Sequence, residues 1–360
     1  MWWIVGVVLA QEPEATDPAP AAAPEAPQAV PVPEEAPAPE AAPTGDEADA
    51  VVRSRRDVID VRNAERAARI FRQRALANHP FVTPQLARSA LPTSHAATRF
   101  GAALVYAPAT DSSPTESLWT AASGGLEGSV RFGRWVALRG ELGGTAGLQS
   151  AAGDVPQIAA EAGWDVSGGV PIRLVHARST ALTLEPIGGY FDSTQLAVTD
   201  TLSTLADQAL EGGGIDVDAA TARMVTRAQG GGGGLSLALA QAGGKVFGLQ
   251  LSVGGQYQAL VLRATDDDGP REVVASQVKV DAGVALSLDA NPVPFAVMVE
   301  YAVGASVGLG EAAGLTSLQH QVGLGLYLNG LTNTIGVEGF GRLAPGSLSA
   351  GAQVLLRAYF

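Results

Sequence analysis

Four histidines are the side chains in this sequence best suited to acid–base or nucleophilic chemistry. Hydrolysis by an activated hydroxyl needs a His beside a Ser, with a polar group that orients the ring. His79 and His95 precede the region of regular alternation, His176 lies in a predicted turn, and His320 lies in the middle of a predicted strand. No nucleophile-elbow motif accompanies any of them. We therefore expect no catalytic residues and no enzymatic activity.

Two other segments, residues 266–268 and 230–234, are candidate ligand sites. The carboxylates of residues 266–268 could bind a divalent cation or bridge to lipopolysaccharide, but their position before Gly269-Pro270 is more typical of a solvated turn. The run from Gly230 to Gly234 lacks the Lys-Ser/Thr of a phosphate-binding loop, so it favours the start of a strand. The chain has no Cys, which excludes thiolate–zinc sites and cysteine nucleophiles. We expect no cofactor and no metal.

Charged residues on the polar side of the predicted strands are the strongest candidates for a function. If the strands close into a barrel, these side chains line a lumen whose field could sort solutes. The alternative is a lumen closed by mutual salt bridges, since about twelve strands can leave a narrow pore or a filled one. The lumen-lining candidates are Arg99, Glu127, Arg131, Arg139, Glu141, Glu161, Asp165, Arg173, Lys279, Asp281, Glu300, Glu338, Arg342 and Arg357.

Composition narrows the class of protein. The 360 residues include 44 Gly, which weakens helices but suits strands that bend and pack closely. The net charge is −13, yet residues 11–50 alone contain ten carboxylates and no Lys or Arg. The remainder therefore carries about −3 (−13 plus 10), and we expect no nucleic-acid partner.

The N-terminal residues predict export. Residues 1–10 are predicted to be a signal peptide, because their apolar run ends with Val8 and Ala10 at the positions of the small-residue cleavage rule. The run is too short for a membrane-spanning helix, which needs about 20 apolar residues. Residues 11–50 are predicted to be a disordered Pro/Ala/Glu linker, since they hold ten of the 22 prolines and little to bury. This linker is either a solvated spacer or a tether near peptidoglycan.

A short helix is predicted over residues 51–77, where apolar residues recur at three- and four-residue spacing among many arginines. It should end before Asn78-His79-Pro80. Three roles are open for it: a plug in an acidic lumen, a strand of a coiled coil, or a solvated helix near the barrel mouth. Residues 80–95 contain three Pro and are predicted to be a connector, which completes a region of residues 51–95.

Residues 96–360 alternate between apolar and polar with period two, which predicts strands. The strands are longer than the usual 5–6 residues of soluble proteins and match the roughly 9–11 residues of a tilted membrane strand. Alternation alone does not distinguish a lipid-facing surface from the core of a soluble sandwich. The predicted strands are 97–106, 125–132, 136–147, 157–174, 181–192, 232–241, 245–262, 272–289, 294–309, 316–329, 333–342 and 347–360.

The predicted connections favour the membrane. Those after odd-numbered strands are mostly long, and those after even-numbered strands are mostly tight, a pattern typical of outer-membrane barrels. The longest, residues 193–231, has helical periodicity at 202–210 and 218–228. A three-residue turn at 133–135 joins the second and third predicted strands. It places apolar residues opposite apolar ones and polar residues opposite polar ones. The predicted pairs are Val130 with Leu138, Leu126 with Leu142, Ser129 with Arg139 and Glu127 with Glu141.

The chain ends Leu356-Arg357-Ala358-Tyr359-Phe360, an alternating strand that closes on Phe. In this, and in the architecture of residues 96–360, it resembles Gram-negative outer-membrane barrels in general. The resemblance implies an all-β, closed antiparallel up-and-down transmembrane β-barrel of about 12 strands in the cell outer membrane. It implies contact with outer-membrane lipid and lipopolysaccharide, and recognition of the last strand by the barrel-assembly machinery. Peptidoglycan is a further candidate partner.

We expect a passive, porin-like channel for small solutes, limited by the arginine-rich helix or by the long loop after the fifth strand. Two alternatives remain open. One is a non-conducting barrel that anchors the acidic linker near the cell wall. The other is an autotransporter-like translocator, which also pairs a helix with twelve strands; the shortness of the segment before the helix counts against it.

Overall fold

The computed structural model describes residues 45–108, 116–151, 157–197, 225–266, 269–290, 293–310 and 316–360. The predicted signal peptide, most of the predicted linker and the predicted helical segment at 202–210 lie outside the described residues. Helix α1 spans Gly45–Arg74, so the end of the predicted linker belongs to it. A boundary between two compact units falls between Arg66 and Ala67. No described helix has the length and apolar character needed to cross a bilayer.

Fifteen strands follow α1 in the described part of the chain. They are β1 (Ala75–Leu76), β2 (His79–Pro80), β3 (His95–Ala107), β4 (Ser117–Phe132), β5 (Val136–Ala151), β6 (Gln157–Gly169), β7 (Ile172–His176), β8 (Thr180–Ala197), β9 (Val225–Gly243), β10 (Phe247–Asp266), β11 (Gly269–Asp289), β12 (Phe295–Leu309), β13 (Thr316–Asn329), β14 (Asn333–Ala344) and β15 (Ser347–Tyr359).

Strands β3 to β15 form one antiparallel sheet that closes on itself. The last strand pairs with the first, from Leu348 opposite Tyr106 to Tyr359 opposite His95. Strands β6 and β7 act as one barrel strand interrupted before Ile172, because Pro171 has no N–H to donate to the ladder. The predicted closed antiparallel barrel of twelve strands is confirmed.

The faces of the barrel are inverted relative to a soluble protein. On the outer face Leu126 is 59% exposed and Leu138 56%, whereas on the inner face Glu300 is 4% and Glu338 1% exposed. An outer surface covered with large aliphatic side chains is far beyond what soluble monomers expose. This arrangement is that of a barrel whose outer band contacts hydrocarbon and whose polar groups face the lumen.

The predicted hairpin register is confirmed. Val130 lies opposite Leu138, Glu127 lies opposite Glu141, and the other two predicted pairs also match. Most predicted strand ends lie within a few residues of the observed ones. Strand β4 is the main exception among the early strands, since it begins at Ser117 rather than at residue 125.

The predicted helical segment at 218–228 is wrong over residues 225–228, which belong to β9. The predicted strand began only at residue 232, because glycines gave no alternation before it. In the structure, Gly230 to Gly234 are paired on both sides, with β8 and with β10. The two flanking ladders satisfy the backbone of this glycine run and extend the strand through it.

The barrel has two distinct ends. At the short-turn end, strands are joined by residues 133–135, 177–179, 244–246, 290–294 and 330–332, and the barrel begins at His95 and ends at Tyr359. His176 is therefore the last residue of β7 and not part of a turn. At the opposite, long-loop end, the predicted long connection around residues 266–270 is wrong. Asp266 pairs with Gly269, so only residues 267–268 join the two strands.

A buried carboxylate joins four neighbouring strands next to the closing pair. Glu127 of β4 contacts Arg357 of β15 at 2.9 Å, Arg99 of β3 at 3.0 Å and Arg139 of β5 at 3.3 Å. His95 Nε2 lies 2.9 Å from the same carboxylate. These side chains, which we call the Glu127 cluster, tie the first and last strands together inside the lumen.

Replacing Glu127 with Ala should destabilise the barrel strongly, because the buried Arg357 and the half-buried Arg99 and Arg139 would lose their shared counter-charge. We expect a loss of about 3–5 kcal/mol, measured by guanidinium unfolding of the detergent-folded protein. As a control, Glu272→Ala removes an exposed partner of Arg263 and should cost less than about 1 kcal/mol. Equal losses in the two variants would show that the cluster contributes no more than a surface ion pair.

Candidate functional site

Residues 75–94, which we call the plug, fold inside the barrel at its short-turn end. Val82 and Ala87 are buried in a cluster with Ala285, Met298 and Tyr327 of the barrel wall. A second cluster packs the remaining apolar plug residues against an alanine-lined part of β8 and β9. Its members are Leu76, Phe81, Ala90, Leu91, Ala181, Ala238, Ala240 and Ala242. The prediction that residues 80–95 are only a connector is wrong, since they fill this part of the lumen.

The entry to the plug is a tight hairpin. Helix α1 ends at Arg74, earlier than the predicted residue 77, because Ala77 and Asn78 have φ values of 48° and 65°. Two consecutive residues with positive φ form the turn that joins two-residue-loop hairpins, here between β1 and β2. The Phe81 N–H then donates to the Arg74 carbonyl at 2.9 Å. The chain thereby reverses direction at the mouth of the barrel.

Glu300 on β12 accepts three hydrogen bonds from the plug backbone. They come from the N–H groups of Gln85 at 3.0 Å, Leu86 at 2.7 Å and Ala87 at 3.3 Å. Close approach of the plug to the wall also requires Gly283, because a Cβ there would lie 3.1 Å from the Ala87 Cβ.

Neutral wall side chains hold the rest of the plug. Gln250 donates to the Val82 carbonyl at 3.0 Å, and Thr183 donates to the Ala90 carbonyl at 2.7 Å. The Arg88 N–H donates to Ser252 Oγ at 3.0 Å. These contacts satisfy backbone groups of a segment that has almost no secondary structure of its own.

Arg74 and His79 close the short-turn end. Arg74 donates to Asn329 Oδ1, and its guanidinium lies 4.4 Å from the centre of the Tyr359 ring. The fully buried His79 donates from Nδ1 to the Lys245 carbonyl at 3.2 Å, while Nε2 lies 2.9 Å from Ser287 Oγ. Burial lowers the pKa of the His79 imidazole, an effect larger than the opposing ones of the Lys245 carbonyl and of Asp289.

Beyond the plug, toward the long-loop end, lies a polar cavity. Its empty space, including its open mouth, is about 1050 Å³. The wall comes from β5, β6, β8, β9 and β10, and the plug contributes Arg88. Glycines such as Gly188 and Gly232 add no side chains to this wall, which helps to leave the space open.

The structure places the predicted lumen candidates in several groups. Arg99, Glu127, Arg139, Glu141 and Arg357 come together in and beside the Glu127 cluster. Glu161 and Asp165 line the cavity, Glu300 binds the plug, and Glu338 accepts a hydrogen bond from Tyr327. The other candidates lie elsewhere on the wall: Arg131 on β4, Arg173 on β7, Lys279 and Asp281 on β11, and Arg342 on β14. The Arg131 N–H donates to Ser94 Oγ of the plug at 3.0 Å, and the charge of Asp281 acts on Arg88.

Sequence reasoning missed Glu185 and the plug itself. Glu185 lies on β8 in phase with the buried Thr183, and it lines the cavity. Its position in the alternation could have revealed it, but the adjacent Pro186 obscured the pattern. The plug has no periodicity; its only signals are Phe81, Val82 and Leu91 among prolines. Among the residues that the structure describes, no group of three or more His, Asp or Glu side chains could hold a metal ion.

Acidification should loosen the plug through His79. In an undocked plug the imidazole would protonate near its ordinary pKa of about 6.5, whereas the buried ring resists protonation. The undocked state therefore takes up more protons, and docking loses stability as the pH falls below that value. Hydrogen exchange of residues 75–94, corrected for intrinsic rates, should increase more between pH 7.5 and pH 5.5 in the wild type than in His79→Gln, in which the other titrating groups are unchanged.

The matched control for this effect is His79→Gln, which cannot titrate. Its plug should show no comparable change in protection between the two pH values. An equal change of protection with pH in the wild type and in His79→Gln would contradict the assignment.

Comparison with known proteins identifies the fold. No protein-family model and no curated protein sequence matches the chain. Among solved structures, the transport unit of the autotransporter AIDA-I from Escherichia coli has a TM-score of 0.50 at 10% identity, covering 79% of this chain and 95% of that chain. The β domain of the Bordetella autotransporter BrkA gives 0.49 at 13% identity, covering 74% and 100%. The translocator domain of the autotransporter NalP from Neisseria meningitidis gives 0.48 at 11%, covering 74% and 88%. The chain thus has the fold of an outer-membrane β-barrel.

Proposed function

We propose that the protein is a passive, porin-like channel of the Gram-negative outer membrane, and that the plug closes it until the plug moves. The observation that carries this proposal is a polar cavity, open at its mouth, that ends on a segment held by apolar contacts with the wall and by hydrogen bonds to wall side chains. Solutes that enter from the long-loop end would reach Arg88 and stop. Passage requires the plug to leave its site.

The plug is suited to movement because its internal structure is slight. The plug begins with the β1–β2 hairpin, and residues 81–94 that follow it form no helix or strand. Undocking would therefore disrupt few hydrogen bonds within the plug itself. Glu300, Thr183 and Gln250 are polar partners that water can replace in an open lumen. The apolar contacts involve mostly alanines on the wall, which bury little area per residue.

Orientation in the membrane follows from the two ends. Outer-membrane barrels place short turns in the periplasm and long loops outside. The plug would then close the periplasmic mouth, and the acidic linker would extend toward the cell wall after cleavage of a signal peptide at residue 10. Strand β15 and the exposed Phe360 that follows it form the segment that the assembly machinery would recognise.

An autotransporter-like translocator is the second candidate. The observation in its favour is that α1 leads directly into the barrel, with Ile70 and Arg74 buried. A translocator would, however, carry the chain preceding the helix through the lumen. Here the segment after the helix turns back, and both Arg74 and His95 contact Tyr359 at the short-turn end. This geometry favours a channel with an internal plug.

Locking the plug should abolish conductance. The natural chain has no Cys, so Ala87→Cys with Gly283→Cys introduces a single pair. A Cβ at Gly283 would lie 3.1 Å from that of Ala87, and a shift of about 0.5 Å reaches normal disulfide spacing. We expect single-channel openings in planar bilayers for the reduced protein and none for the oxidised one. The conductance of the wild type, which has no Cys, should be the same with and without oxidant.

Weakening the Glu300 anchor should have the opposite effect. Glu300→Gln replaces one of the two oxygens that accept hydrogen bonds from three backbone amides with an N–H donor, and we expect docking to weaken by about 2 kcal/mol. This corresponds to a roughly thirtyfold higher probability of opening. Equal conductance of the oxidised and reduced double-cysteine protein would refute plug gating. Silence of the reduced protein and of Glu300→Gln alike would favour a non-conducting anchor.

A further inference from the structure

The cavity beyond the plug carries an excess of negative charge. Two of the charged residues that line the cavity form ion pairs with residues outside it. Arg139 pairs with Glu127, and Glu141 pairs with Arg99 at 3.5 Å. Asp192 also lines the cavity and pairs with Arg227, and Glu127 is shared with Arg99 and Arg357. Counted with these partners, six carboxylates (Glu127, Glu141, Glu161, Asp165, Glu185 and Asp192) face five arginines (Arg88, Arg99, Arg139, Arg227 and Arg357), an excess of one negative charge. Such a difference in a low-dielectric lumen attracts cations.

Glu185 supplies an independent sign that a ligand binds here. The residue is 4% exposed, and its Oε1 has no hydrogen-bond partner among the described residues. This oxygen is unsatisfied, although buried carboxylate oxygens normally have donors, because leaving one unpaired is costly. A Cβ at Gly169 would collide with the same carboxylate, so the glycine is what permits its position.

The neutral groups of the cavity also suit an organic cation. Phe191 contributes an aromatic ring, whose negative face attracts ammonium groups. Gln256 and Gln258 contribute side-chain amide groups to the wall of the cavity. The Gln258 side-chain oxygen Oε1 accepts a hydrogen bond from Gln277 Nε2 at 3.0 Å. An anion would meet Arg88 but would also face three carboxylates.

We propose that this cavity is a binding site for small organic cations with primary ammonium groups, and that Glu185 and Glu161 bind them directly. In a diammonium compound, one ammonium group can bind each of these two carboxylates. The space of the cavity together with its open mouth, about 1050 Å³, lets such a molecule enter from the long-loop end. As the solute class of the channel, this inference rests on the proposed function; as a binding site, it stands by itself.

Isothermal titration calorimetry of the folded full-length chain in detergent, with 1,4-diaminobutane at low ionic strength, tests the proposal. We expect saturable binding by the wild type. The variant Glu161→Gln/Glu185→Gln should bind at least tenfold more weakly, because both exchanges remove charge while conserving shape. Glu272→Gln removes an exposed carboxylate paired with Arg263 outside the cavity, and should bind like the wild type.

The proposal is overturned if the wild type shows no saturable binding, if the double variant binds as tightly as Glu272→Gln, or if succinate binds as well as the diamine. Should the double variant fail to fold, the same comparison is made with Glu161→Gln alone, whose side chain is less buried.

Binding does not require conduction, so the two proposals fail separately. Diamine binding by a protein whose oxidised and reduced double-cysteine forms conduct alike supports the cation site and rejects plug gating. Redox-gated conductance without diamine binding does the reverse.

Discussion

Closure of the backbone ladder between β15 and β3 is the constraint on which the rest of the molecule depends. In hydrocarbon no water is available to an unpaired N–H or C=O, so an open sheet edge is not tolerated. The Glu127 cluster strengthens this seam from the inside. Ala97 lies directly opposite both Glu127 and Arg357, and its small side chain lets the arginine reach across β3 to the carboxylate on β4. Backbone pairing and a buried charge network thus act on the same pair of strands.

Closure also determines how the lumen can be filled. A barrel that faces lipid with its aliphatic side has mostly polar and small side chains left for its interior, with a few large apolar ones such as Met298 and Leu355 here. The plug meets this interior in two ways. Its apolar residues pack on alanines near the short-turn end, where little space separates them from the wall. Its backbone amides, which lack partners in an irregular segment, bind Glu300 and neutral side chains farther in. The wall side chains at each depth, alanines near the short-turn end and polar groups farther in, therefore determine which kind of contact the plug makes.

The barrel could be predicted from the sequence because each strand obeys the same period-two rule on a surface with one apolar face. The register at the 133–135 turn followed from pairing apolar with apolar residues, and the structure reproduces it. Local pattern failed where pairing overrides it. Residues 225–228 lie in a segment with helical periodicity, yet pairing with β8 holds them in β9.

The plug could not be predicted because nothing local specifies it. Its bound conformation depends on partners such as Ser252 and Glu300, more than 160 positions away in sequence. Glu300 itself was identified as an inward-facing charge, but its partners are backbone amides, which carry no sequence signal. Glu185 shows the complementary case, in which alternation did place a carboxylate inside but Pro186 next to it hid the phase.

Arg88 connects the two parts of the lumen physically. Its backbone N–H belongs to the plug contacts, through Ser252, whereas its side chain lines the cavity. A cation in the cavity would draw on the same carboxylates that surround this guanidinium, among them Glu185 and Asp281, whose charges act on it. Ligand binding and plug docking would therefore compete for one set of negative charges. By linkage, a cation that weakens docking must itself bind better when the plug has left. A solute of this class would then favour the open state of its own passage, which is the behaviour required of a channel that is closed at rest.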